Sequence, residues 1–155
     1  MSNAGLSVEQ SNDWMAIEPR IVELVQAAVK GLTPAVHVLT ASGLYAVQEA
    51  AQRTPAIHVI YNGYAVADDL RVSWVLRHTW LVVAADRNVA DIKSGQSARL
   101  SAGSLLARVT GHLVGASVLG AVRPLELVSP PSAQYQNGFQ YIPSAFQVET
   151  IFRKP

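Results

Sequence analysis

The stretch Thr54–Asn88 constrains this chain more than any other. It reads TPAIHVIYNGYAV, breaks at Asp68-Asp69, and resumes from Val72 to Asp86. Two apolar runs rich in β-branched and aromatic residues around a short acidic break specify a long hairpin. In the first run Ile57, Val59 and Tyr61 fall on one face, and His58, Ile60 and Asn62 on the other. In the second, Trp74, Leu76, His78, Trp80 and Val82 alternate with Val75, Arg77, Thr79, Leu81 and Val83. Apolar residues on both faces mean that both are expected to meet protein over part of their length. With 155 residues and few other strands, the chain must cover the second face with helices or with another copy of itself.

The flanking segments supply the helices. Ile21, Leu24, Val25, Ala28 and Val29 recur at helical spacing after Glu18-Pro19, where a proline suits the first turn, and Gly31 is a natural stop. Val36–Thr40 reads as a short strand closed by Ser42-Gly43. Tyr45–Arg53 reads as a helical turn or irregular chain, ended by Thr54-Pro55. A polar connection, Asp91–Gln96, leads to a second helix over Ser97–Gly115, with Leu100, Leu105, Leu106, Val109, Leu113 and Val114 as its apolar stripe. Gly103 and Gly111 cost about 1 kcal/mol each against Ala in such a helix, so close packing on the sheet is expected there. Val122–Val128 reads as a strand broken by Ser129-Pro130-Pro131. Ser132–Pro143 is a polar excursion carrying Tyr135, Phe139 and Tyr141, and Ser144–Phe152 returns as the last strand. The order predicts an α+β fold: a mainly antiparallel mixed sheet built on a long central hairpin, with helices packed against it. Residues 1–13 are polar and expected to be flexible, and residues 14–155 form a single domain.

Composition excludes several functions. Twelve basic and eleven acidic residues are mixed along the chain for a net charge of +1, so no basic stripe for sequence-specific nucleic-acid binding is present. The absence of cysteine removes disulfides, thiol nucleophiles and thiolate metal sites. No apolar run is long enough to span a membrane, and the first residues do not resemble a signal peptide, so the cytoplasm of the producing cell is the expected compartment. Only 15% of residues are charged, against roughly 25% in typical soluble domains, which suits extensive packing against partners.

The catalytic inventory is close to empty. His37, His58, His78 and His112 form no local metal-binding pair, and their ordinary reading is as paired or interface histidines. Asp68-Asp69 reads as a solvated turn. No nucleophile elbow, phosphate loop or dinucleotide fingerprint occurs, so no catalytic residue, cofactor or metal is assigned. An alternative, a small α+β enzyme or ligand-binding domain, would need His37, His58 or His78 to converge with Asp86 in a pocket. What stands out instead is surface: the hairpin tip with Asp68, Asp69 and Arg71, and the late excursion with Tyr135, Phe139 and Tyr141. These six residues are the candidate interface.

The opening helix Ile17–Val29, the segments AAQRTPAIHV (Ala50–Val59) and WLVVAADRN (Trp80–Asn88), and the helix at 97–115 with its closing strand pair carry a resemblance. Over about Ile17–Phe152 the chain resembles the tail terminator (tail completion) proteins of long-tailed phages, especially those of Mu-like phages and prophages. The resemblance implies a non-enzymatic virion protein that assembles as a ring, commonly a hexamer. The ring would cap the tail tube, stop its polymerisation and offer a surface to the head-completion or neck protein. It would form in the bacterial host cytoplasm and end at the head-proximal end of the tail, with DNA passing through the lumen. Another neck or head–tail connector subunit is the nearest alternative.

Overall fold

A computed structural model of the chain describes residues 12–43, 53–87, 96–118, 120–136 and 138–154, with the side chains of residues 96 and 97 outside that description. The readings of Tyr45–Arg53 and Asp91–Gln96 fall almost wholly outside the described residues, as does most of the 1–13 segment. The elements in chain order are α1 (Glu18–Val29), β1 (His37–Ala41), β2 (Ala56–Asp69), β3 (Ser73–Arg87), α2 (Gln96–Leu113), β4 (Glu126–Val128), β5 (Gln134–Gln136) and β6 (Phe139–Arg153). The sheet runs β1-β2-β3-β6-β4, with β5 also on β6; β1 joins β2 in parallel and every other pairing is antiparallel. The fold is the α+β mixed sheet expected from the sequence, organised on the hairpin β2–β3.

Strand β3 pairs along its whole length with β6 and, from Trp74 to Ala85, with β2. One face of this three-strand ladder receives both helices: Ile57, Val59, Trp80, Val82, Ala84, Phe146 and Val148 pack against Ile21, Val25, Val109 and Leu113. Arg108 ties the helices together by donating its Nε to Ala28 O at 2.7 Å. The opposite face carries a second cluster, Ile60, Leu81, Val83, Ala85, Tyr141 and Ala145. The two faces are therefore both apolar, but only over the half of the ladder nearest β1 and β4.

Four readings change in the structure. Residues 139–143 belong to β6, so the last strand starts five residues earlier than Ser144 and the excursion is a short hairpin with β5. Pro143 does not break the strand. The outward backbone groups of β6 belong to its odd residues, as Val122 N→Glu149 O and Arg153 N→Asn12 Oδ1 show. Pro143 lies between the stretch paired with β5 and the stretch paired with β4, so its missing N–H costs no ladder bond. Of Val122–Val128, only the last three residues form a strand. Leu125 instead exchanges backbone bonds with Gly115 and Ala116 at the end of α2.

The stripe of α2 is Ala98, Ala102, Leu105, Leu106, Val109 and Leu113, while Leu100 and Val114 face outward. Leu100 lies five residues before Leu105, too far around the helix to share its face. The glycines of α2 do not mark close packing either, because a Cβ at Gly103 or Gly111 would meet open space. Gly111→Ala should therefore raise stability by about 1 kcal/mol through backbone entropy alone. A shift of the urea midpoint to higher concentration is the expected reading, and an unchanged or lower midpoint would count against it.

Candidate assembly surface

The hairpin outgrows the body of the domain. β1 covers β2 only from Ala56 to Ile60, and β4 covers β6 only around Ala145–Gln147. Beyond these points β2, β3 and β6 continue as a three-stranded arm. Two irregularities in the β2–β3 register, between Tyr61 and Tyr64 and between Val66 and Asp68, each put one extra residue in β2. Gly63, at φ +96°, supplies the backbone the first one needs. The first bulge turns Tyr64 and Val66 onto the helix-bearing face, where strict alternation would have sent them to the other.

On that face the arm carries an aromatic cluster. Trp14 packs edge-on against Tyr64 (4.6 Å between centroids) and Phe152 (5.8 Å), and Trp74 lies 5.7 Å from Phe152. A shallow groove runs between Trp14, Tyr64, Val66, Trp74, Leu76 and Phe152. Beneath it His78 is fully buried, with Nδ1 2.7 Å from Tyr61 Oη and Nε2 3.0 Å from Thr150 Oγ1. These bonds link all three strands where body meets arm. The other face of the arm carries the charged groups, beside Val75 and Ile151: Glu149 accepts from Arg77 (2.9 Å) and Arg123 (3.1 Å). Burial alone would raise the Glu149 carboxyl, but the bonds and charges of Arg123 and Arg77 outweigh it and hold it below the usual carboxylate range.

At the tip, Asp69 Oδ1 accepts from Arg71 N at 2.9 Å and Asp68 Oδ1 from Asp69 N at 2.9 Å, so the acid pair shapes the turn while its charge faces water. Arg71 sits at φ +78°, a conformation a glycine would adopt more cheaply. The arm and tip expose Tyr64 (49%), Val66 (58%), Leu70 (49%) and Val72 (70%). The late aromatic group lies elsewhere. Tyr135 is half-buried in β5, and Phe139 stacks 6.1 Å from Tyr141 beneath the Arg87 guanidinium. Tyr141 is only 4% exposed, inside the second cluster. Phe139 pairs with Arg87 and the tip closes beside Trp74, so the two candidate groups lie at opposite ends of β3, about 40 Å apart. The structure does not bring them together. Sequence reading missed Trp14, Tyr64, Val66 and Phe152 as one cluster, because the bulge that gathers them leaves no mark in the alternation except Asn62-Gly63.

The histidines do not converge with Asp86. His58 shares the face of the second cluster, whereas Asp86 and His78 lie on the helix-bearing face, eight residues apart on one strand and so about 26 Å from each other. His37 neighbours Val38, which pairs with Ile57, and so points to the face away from Asp86. Asp86 lines a cleft with Ser101, Ser104 and Arg108; burial raises its carboxyl, against hydrogen bonds from Arg87 and Ser101. No group of three metal-ligating side chains occurs among the described residues.

The distinctive chemistry of this α+β subunit thus lies on its outside. The chain belongs to the phage tail terminator family: a family model described as phage tail terminator protein matches residues 11–155. It is a structural protein of a phage tail. No match is found among curated proteins. Among solved structures, a chain of the virion of native gene transfer agent (GTA) particle is similar at a TM-score of 0.48 and 16% identity, over 92% of this chain and 90% of that one.

The buried histidines set a pH limit on the arm's junction. Burial pushes His78 down to about 4 and also lowers His58, so the unfolded chain binds protons that the folded one refuses. Stability is full above the ordinary histidine range and falls as pH drops from about 6.5 toward 4, by about 3 kcal/mol for His78. Urea titrations across that window should show the decline, and His78→Gln should flatten it; a wild-type profile as flat as the variant's would refute the assignment.

Proposed function

We propose that this chain is the subunit of a ring, a hexamer in the form the family resemblance implies, that caps the tail tube and stops its growth. The observation that supports this best is the pair of dissimilar surfaces on one ladder: an exposed apolar arm at one end and the body at the other. Contacts between unlike surfaces of identical subunits are head-to-tail, and they close into a ring when the rotation per step allows. Such a ring has two different faces. One matches the end of the tube, and the other presents to the neck protein a surface on which no tube subunit can add.

The role is structural, with no bond made or broken, no cofactor, no membrane and no sequence-specific nucleic acid. DNA passes through the lumen. The protein would act in the virion, at the head-proximal end of the tail, after assembly in the bacterial cytoplasm. The candidate contacts are the tip residues Asp68, Asp69 and Arg71 and, at the far end of β3, Tyr135 with Phe139; Tyr141 would support that end from within.

Light scattering over a concentration series, alone and with polymerising tube protein, tests the reading. The expected species is a closed ring of about 100 kDa from the 16.6 kDa chain, and substoichiometric amounts should fix tube length. A protein that binds preformed tubes without arresting growth would instead be a connector of another kind.

A further inference from the structure

The ring reading leaves open what the hairpin tip touches, and the chain carries a surface that fits it. Between the end of α1 and β1 lies a groove of about 530 Å³, floored by Leu32, Val36 and Val38 and rimmed by Glu23 and Lys30. The floor is only partly buried, although it continues the main core. Strand β1 pairs with β2 on one side and with no strand on the other among the described residues. An apolar floor with one cation and one anion on its rim needs an apolar plug with the opposite pair of charges.

The tip is such a plug. Leu70 and Val72 project their side chains into solvent, flanked by the carboxylates of Asp68 and Asp69 and by the Arg71 guanidinium. Arg71 makes no ion pair among the described residues, and it keeps a cation at a position whose φ of +78° favours glycine. Backbone strain retained for a charged side chain points to use of that charge. On the rim, Glu23 pairs with Arg20 in a contact open to water, which is weak and can exchange partners. The plug and the socket cannot meet within one copy. From Ala56, beside β1, to Asp69 the strand β2 runs about 40 Å.

We propose that the tip of one copy seats in the α1–β1 groove of the next, with Leu70 and Val72 on Val36 and Val38, Asp68 facing Lys30, and Arg71 facing Glu23. This rests on the ring reading and gives that ring its head-to-tail contact. Plug and socket lie at opposite ends of one β2 strand, so each copy both gives and receives, as a closed ring requires. The occupant is therefore a second copy rather than tube protein.

The chain has no cysteine, so an introduced pair reports without background. Leu70→Cys with Val36→Cys in one chain cannot close internally, because a disulfide needs Cα atoms within about 7 Å. On oxidation the double variant should give a ladder of covalent multimers ending at the ring's subunit number, and a mixture of the two single variants should give dimers only. In parallel, Asp68→Arg and Lys30→Glu should each weaken ring assembly about tenfold, and the double reversal should recover most of the loss. Both sites are exposed, and circular dichroism would confirm that the variants fold. A wild type that closes into a ring while the cysteine pair gives no ladder overturns the groove contact and leaves the ring standing. A covalent dimer from Leu70→Cys alone would mean tip-to-tip contact and also overturns it. Crosslinks from the tip to added tube protein, with none to the groove, would reassign the tip to the tube. A wild type that stays monomeric with and without tube, and gives no ladder, removes the ring reading itself.

Discussion

Everything in this protein depends on the central place of β3, paired with β6 along its whole length and with β2 over most of it. β6 pairs with all fifteen residues of β3 and β2 flanks it from Trp74 to Ala85, so most of its backbone groups are satisfied and its side chains define two faces along the ladder. Trp80 sits at the middle of one face, fully buried between Tyr61 and Phe146 across the two ladders. Leu81 and Val83 do the same on the other face. The helices need only one face, and their apolar stripes fit it. What remains is determined by length: β1, β4 and both helices are too short to cover a ladder of this span, and the uncovered part becomes the arm.

That division explains why the polar groups are where they are. His78 lies at the junction, neutral and bonded to β2 and β6 at once, a place where an apolar side chain would leave Tyr61 Oη and Thr150 Oγ1 without these bonds. Outside the body the arm keeps its polar face through Glu149 between two arginines, and its aromatic face through Trp14 folding back from the approach to α1. Trp14 reaches that position because Asn12 uses its side-chain amide as a one-residue strand, accepting from Arg153 N and donating to Arg153 O.

The features legible in the sequence were those that repeat with a period. The alternation of Trp74 to Val83 gave both faces correctly, and the spacing from Ile21 to Val29 gave α1 with its end at Gly31, whose φ of +79° fits a helix stop. Features set by a single residue against its partner were not legible. The extra residue near Gly63 reverses the faces of Tyr64 and Val66, and nothing in a local pattern separates a bulge from a continued strand. The start of β6 at Phe139 was not legible either, because a local pattern cannot show that the missing N–H of Pro143 faces the outer edge of the strand. Phe139 and Tyr141 fall in a run of Gln, Asn and Gly that reads as a loop, and the structure puts them in β6. The polar break at Asp68, Asp69 and Arg71 marked the place of the chain reversal, although Asp68 and Asp69 themselves close β2 and the turn follows them at Leu70–Val72. The groove beside β1 was invisible, since it is made by two elements that meet only in three dimensions.

The edges of the sheet bear on how such a subunit can assemble and yet stop. Open strand edges invite addition of further strands without limit. Here the outer edge of β6 is occupied in turn by β5, β4, Val122 and Asn12. β4 is three residues long and lies between Pro124 and the Pro130-Pro131 pair. The free edge of β2 along the arm is interrupted by two bulges, which bend a strand away from straight pairing, and β1 offers only five residues. A chain with edges blunted in this way is suited to association through side chains and shape rather than through strand addition. Strand addition can continue without limit, whereas a contact of fixed rotation closes when that rotation allows. Blunted edges and an exposed apolar arm together suit the closed assembly proposed above better than open-ended strand addition.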